Sequence, residues 1–259
     1  MTLKRSAIAV LVGCAALVAV PPLAAEDAKA DADSVRDRSI SKTVAWRPKS
    51  AETILRDHPE HEKTQPYLTA EAFLMATYGV GQDEKLVSEA LEILTTQAGK
   101  DRQDPVSEFY RGQVLAWTDQ KEKARTAWQN AKQRAEALVK KNSRDGRAQY
   151  YLGASLVMLR QPVQARKALK KALKADWNKP MVDFQNGLSY FLQENWKAAK
   201  SSFDNVHELD PRYAHLYFYR GLAWDKLGQK DRLLDDLDQF VKLAPNSNEA
   251  KTARAILKR

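Results

Sequence analysis

Glycine recurs at a fixed interval in this chain: Gly153, Gly187 and Gly221 stand 34 residues apart. Each lies inside an apolar helical pattern, as in Tyr150-Tyr151-Leu152-Gly153 and Phe184-Gln185-Asn186-Gly187. A glycine within a helix costs about 1 kcal/mol relative to alanine. Three at one period therefore point to a packing role, a place where two helices approach closely. The interval carries more than glycine. Ala165, Ala199 and Leu233 follow at one common offset, Leu169, Phe203 and Leu237 at a second, and Ala172, Val206 and Phe240 at a third. Turn material separates the halves of each unit: Arg160-Gln161-Pro162, Gln193-Glu194-Asn195 and Gly228-Gln229-Lys230. Pro211 and Pro245 fall at equivalent unit ends, where a helix must stop.

A 34-residue helix–turn–helix unit with a small residue at position 8, alanine at 20, a bulky apolar residue at 24, alanine at 27 and proline at 32 resembles the tetratricopeptide repeat (TPR). The last unit departs from that pattern, with Leu233 and Phe240 in place of the two alanines, and Asn186 replaces the usual leucine before Gly187. An earlier unit begins at Asp104-Pro105, read as a helix cap followed by a first-turn proline, and carries Gly112, Ala124, Trp128 and Ala131. Gly112 and Gly153 are 41 residues apart, and the excess lies in residues 133–142. Two extra helical turns there lengthen the second helix without changing its facing. This extension, with Lys132, Arg134, Lys140, Lys141 and Arg144, is expected to project from the stack. The resemblance implies an all-α, right-handed superhelical solenoid of hairpins closed by a C-terminal capping helix. The repeats are placed at 105–145, 146–179, 180–213 and 214–245, with a degenerate repeat region at 51–104 and the cap at 246–259.

The first 25 residues read as a secretory signal peptide. Lys4 and Arg5 precede an uncharged apolar run from Ser6 to Val20, and Leu23-Ala24-Ala25 offers small residues for cleavage. Leu11-Val12-Gly13-Cys14 is similar to a bacterial lipobox, so lipidation at Cys14, the only cysteine, is the alternative. The expected location is periplasmic or secreted after cleavage, or anchored through Cys14. Residues 26–50, charged and weakly apolar, read as a flexible tether. Trp46 is its one large apolar residue, either a cap on the first face of the solenoid or an anchor for a partner. The net charge of +9 falls to +7 without Lys4 and Arg5, a balance that suits solubility or anionic partners other than nucleic acid.

No phosphate-binding glycine loop, nucleophile elbow or His-Glu-x-x-His pattern is present, and no cofactor or resident metal is expected. His58 and His61 could ligate a metal, but Pro59 between them argues against a regular helix and a solvated turn is the simpler reading. His207 and His215 read as structural, and Asp235-Asp236 point to different helix faces.

What remains is surface. In the repeats it resembles, the first helix of each hairpin lines a concave groove. Carried onto this chain, the partner-binding residues are Phe109, Trp117, Tyr150, Met158, Met181, Phe184, Leu188, Phe191 and Phe218. This wall is apolar, suited to a hydrophobic or amphipathic segment. The lysine and asparagine clamp of repeats that bind a free carboxylate is absent. A tightly curved stack, or residues 26–65 folded back, would instead bury these side chains. A basic face, Arg166, Lys167, Lys170, Lys171 and Lys174, reads as solvated or as a contact for anionic lipid or polymer. The expected function is a non-catalytic scaffold or adaptor holding another envelope protein. The alternative is a lipid-anchored or peripheral component of an envelope assembly or export machine.

Overall fold

The computed structural model describes residues 25–258. The leader reading and Cys14 fall outside the described residues. Thirteen α-helices follow one another in that stretch: α1 Ala25–Val44, α2 Pro48–Arg56, α3 Gln65–Gly79, α4 Glu84–Lys100, α5 Val106–Trp117, α6 Lys121–Lys141, α7 Gly146–Met158, α8 Pro162–Lys174, α9 Lys179–Phe191, α10 Trp196–Leu209, α11 Ala214–Lys226, α12 Lys230–Leu243 and α13 Asn248–Leu257. A 3-10 turn, Pro59–His61, joins α2 to α3. No strand occurs among the described residues. From α3 onward the helices pair as antiparallel hairpins, each packed on the next, and α13 covers α12. The architecture is an all-α helical-repeat solenoid.

Local chemistry sets the helix boundaries. The side chains of Asp83, Asp145, Asn178 and Asn195 each accept a hydrogen bond from an amide in the first turn of the helix they precede. Proline opens α2, α3, α8 and α9 within the first turn, where its missing N–H has no partner to lose. The hairpin turns share one left-handed residue, seven positions after each repeat glycine: Asp119, Arg160 and Glu194 with φ of 58° each, and Gly228 with φ of 77°. Only the last of these is a glycine, so the other turns carry backbone strain.

The repeat glycines sit where two helices touch. A Cβ on Gly153 would lie 2.6 Å from Leu169, on Gly187 2.4 Å from Phe203, and on Gly112 2.4 Å from Trp128. The small position of the first helix thus receives the bulky position of the second. Phe203 is fully buried in this way, a burial that contributes about 2–3 kcal/mol. The last hairpin is looser: a Cβ on Gly221 would come no closer than 3.3 Å to Asp236. Leu233 and Phe240 stand there in place of alanine and are buried.

Several expectations are corrected. Residues 26–50 are not a flexible tether: α1 is a 20-residue helix, and its Ala32, Val35, Arg36, Ser39, Ile40 and Thr43 are buried. That spacing is one face of a helix, but its buried face includes an arginine and two hydroxyls, so it does not read as apolar. Trp46 does not cap the first face. Its ring lies 5.4 Å from that of His215, in the last hairpin. Asp104 does not cap α5, whose N-cap is Pro105 without a side-chain hydrogen bond. The extension of α6 is present, at 21 residues against 14 in α10 and α12. It does not stand free of the stack: Arg134 donates to the carbonyls of Asp101 and Asp104 and pairs with Glu108.

Candidate partner-binding face

The first helices of the hairpins, α3, α5, α7, α9 and α11, form the inner side of the stack. Helix α1 packs on α2 and α3 and reaches the N-terminal ends of α5 and α7 through its charged side chains. Arg36 of α1 meets Asp104, just before α5, at 3.0 Å. Asp33 and Asp37 of α1 meet Arg147, at the start of α7, at 3.2 Å and 3.6 Å. Beyond α1, the carbonyl of Ala45 accepts from the amide of Ala214, the first residue of α11. Arg47 pairs with Asp210 beside it. One segment therefore spans the stack from its first hairpin to its last.

The ion cluster that holds this segment is largely sealed. Arg36 is fully buried, with Asp33 at 2.9 Å, Asp37 at 3.1 Å and Asp104 at 3.0 Å. Arg147 reaches Asp104 at 2.5 Å. Burial alone would lower the pKa of Arg36, but the negative charges of Asp104 and Asp37 outweigh it and hold the guanidinium charged. Two arginines thus face three aspartates, pairing the buried charges but leaving one aspartate in excess, and burial raises the pKa of Asp37 in spite of both arginines.

With its N-terminal edge crossed by α1, the inner face keeps a cavity of about 150 Å³. Phe109, Trp117, Tyr150, Met158, Phe184 and Leu188 line it, as the sequence pattern placed them. Phe109, Tyr150 and Phe184 form its buried wall. Trp117, Met158 and Leu188 are half-buried and face the remaining space. The other groove candidates lie elsewhere. Phe191 packs on Trp196 and Tyr219, with ring centroids 4.9 Å and 5.8 Å away. Phe218 packs on Phe240 at 5.2 Å. Met181 is buried in the core and does not line the cavity.

Other residues complete the wall that the repeat pattern did not single out. Phe73 comes from α3, whose hairpin is too divergent for the positional pattern to reach it. Tyr110, Gln185 and Tyr219 stand next to pattern positions, and the curvature of the stack brings them in. Thr43, Val44 and Trp46 come from the segment read as a tether. Burial pushes the Tyr110 phenol well above its ordinary pKa, so the hydroxyl stays neutral. The polar edge is supplied by Gln113, His215 and Glu249, with His215 and Glu249 3.5 Å apart. Nothing in this wall pairs a nucleophile with a base. Its chemistry is that of an apolar slot with a polar margin.

The basic face is divided. Arg166 lies over the ring of Tyr190, 4.5 Å from its centroid, and half-buried. Lys167, Lys170, Lys171 and Lys174 are exposed on α8. His207 hydrogen-bonds Tyr217 at 3.1 Å, and Asp236 accepts two bonds from Arg220.

Residues 123–180 match the family model described as tetratricopeptide repeat. Among solved structures, a thermophilic TPR protein of Thermus thermophilus superposes with a TM-score of 0.55 at 16% identity, covering 74% of this chain and 100% of that one. The APC/C hetero-tetramer Cut9-Hcn1 superposes with a TM-score of 0.51 at 18% identity, covering 88% of this chain and 41% of that one. No curated protein matches the chain. At these identities the likeness is one of fold.

Proposed function

We propose that this chain, which has the helical-repeat fold and matches the tetratricopeptide-repeat model over residues 123–180, is a non-catalytic scaffold that holds a segment of another protein on its inner face. The observation that carries this reading is the aromatic cavity beside α1. A space of about 150 Å³ has room for one aromatic or large aliphatic side chain; an apolar cavity of roughly that volume accepts benzene. Trp117, Met158 and Leu188 offer the partly exposed apolar contact that anchors a peptide. The partner is accordingly a segment with one bulky apolar residue, flanked by groups that can bond Gln113 or Glu249. The leader pattern in residues 1–25 supports a role in a bacterial cell envelope, with another envelope protein as partner.

The test is selection of peptides from a displayed library on the full chain. Enriched peptides should share one aromatic or aliphatic anchor and lose binding to Met158→Glu and Leu188→Glu. They should keep binding to Lys170→Glu. Peptides that bind all variants equally would remove the inner face from the reading. A second reading rests on the exposed Lys167, Lys170, Lys171 and Lys174 and takes an anionic lipid or polymer as partner. Binding through that face would fall steeply with salt, whereas anchoring in the cavity would not.

A further inference from the structure

The turn between α2 and α3 holds a cluster with its own chemistry. Pro59 is exposed, in a turn that buries His61. It opens the 3-10 turn Pro59–His61 with His58 at the N-cap. Side chains three apart eclipse in such a turn, and the His58 and His61 rings lie 21° from parallel. Glu60 Oε1 is 3.0 Å from His58 Nδ1 and 3.7 Å from His61 Nε2. From α1, Asp31 Oδ2 comes within 3.2 Å of that same His61 nitrogen. One donor atom from each of His58, Glu60 and His61 lies within 4.8 Å of the others.

We propose that His58, Glu60, His61 and Asp31 form a site for a divalent transition-metal ion of the zinc type, which fastens α1 to the body of the protein. A tetrahedral ion with bonds of about 2.0–2.2 Å spaces its ligand atoms roughly 3.3–3.6 Å apart. The three separations bracket that value; His58, Glu60 and His61 already lie together, and Asp31, which is exposed and reaches the cluster at His61, rotates inward to complete the four. Two neutral imidazoles and two carboxylates balance a charge of two. Imidazole donors favour zinc, copper or nickel over magnesium or calcium. A cleft lined by Asp31, Glu60, His61 and Lys29 leaves the cluster accessible. Lys29 is turned toward Asp101, 3.7 Å away. Arg38 lies 3.0 Å from His58 Nε2 and donates to it, placing the imidazole proton on Nδ1. Metal binding at Nδ1 moves that proton to Nε2, and Arg38, which is exposed, turns into solvent.

The experiment uses the full chain without a histidine tag, stripped by a chelator and titrated with zinc against a chromophoric competitor. One zinc per chain is expected, with affinity reduced at least ~10-fold in Glu60→Gln and in His58→Ala. Both side chains are solvent-accessible, so neither substitution removes core packing. Zinc should also slow proteolytic cleavage within α1 of the parent chain and have no such effect in Asp31→Asn. Zinc affinity unchanged in the variants, or no zinc binding, would overturn the site. Binding that leaves α1 cleavage unchanged in the parent chain would overturn the fastening.

Discussion

Arg36 and Asp104 are separated by 68 positions in the chain and meet at 3.0 Å, the arginine fully buried and the aspartate 8% exposed. Removing Arg36 leaves Arg147 alone to face Asp33, Asp37 and Asp104, an excess of buried negative charge. Arg36→Ala is therefore expected to cost about 3–5 kcal/mol. Part of that cost should appear as release of α1, read as faster proteolysis within residues 25–44 and a lower urea midpoint. The double variant with Asp104→Ala should lose less than the sum of the two single variants, because each single variant already breaks the same pair and the double variant removes one of the excess negative charges. Additive losses would show that the pair contributes nothing as a pair.

The repeat glycines are not equivalent. Gly187→Ala would place a methyl 2.4 Å from Phe203, and the strain should cost about 1–3 kcal/mol. Gly221→Ala meets its nearest neighbour at 3.3 Å and gains helix propensity, so it should be neutral or stabilising by up to about 1 kcal/mol. Thermal melts of the two variants decide the matter, and equal shifts would contradict the close packing at Gly187.

Glu194 holds a φ of 58° in the turn between α9 and α10. Glycine adopts that conformation without strain, and Gly228 already does so in the last hairpin. Glu194→Gly should stabilise the protein by up to about 1 kcal/mol, even after the added freedom of the unfolded chain is counted. Chemical denaturation with an unchanged m-value would verify it.

Burial alone would raise the pKa of Asp101 and Glu249. Hydrogen bonds from the amides of Gln103 and Asp104, with Lys29 nearby, reverse this at Asp101; the charge and hydrogen bond of His215 reverse it at Glu249. Both carboxyls therefore titrate lower when folded than when unfolded. The stability they contribute is present above the unfolded carboxylate range, about pH 4, and is lost as pH falls through the folded values. Urea midpoints between about pH 2 and pH 5 should show this decline, shallower in Asp101→Asn.

The repeat period carried the hairpins directly, because close packing of a glycine against a bulky residue constrains both positions in every unit. The same register placed Phe109, Trp117, Tyr150, Met158, Phe184 and Leu188 on one cavity. It misplaced Phe191 and Phe218, which the turn of the stack directs at Trp196 and Phe240. Helix α1 escaped because its buried face is held by charge as much as by apolar contact. Arg36 and the aspartates around it read as solvent-exposed until Asp104 and Arg147 arrive from distant repeats. The proposed metal site was legible only in part, as the pair His58 and His61, for a related reason. Only folding brings Asp31 to His61, and Pro59, read as an interruption, aligns the two imidazoles.

The link from Ala45 to Ala214 changes the mechanics of the whole molecule. An open solenoid behaves as a spring, each unit answering only to its neighbours, and it can fray from either terminus. Here a cross-brace joins far-apart coils, so bending at any one hairpin is resisted by all of them. Unfolding should consequently proceed as a single concerted event, and the inner surface should meet a ligand at a fixed curvature.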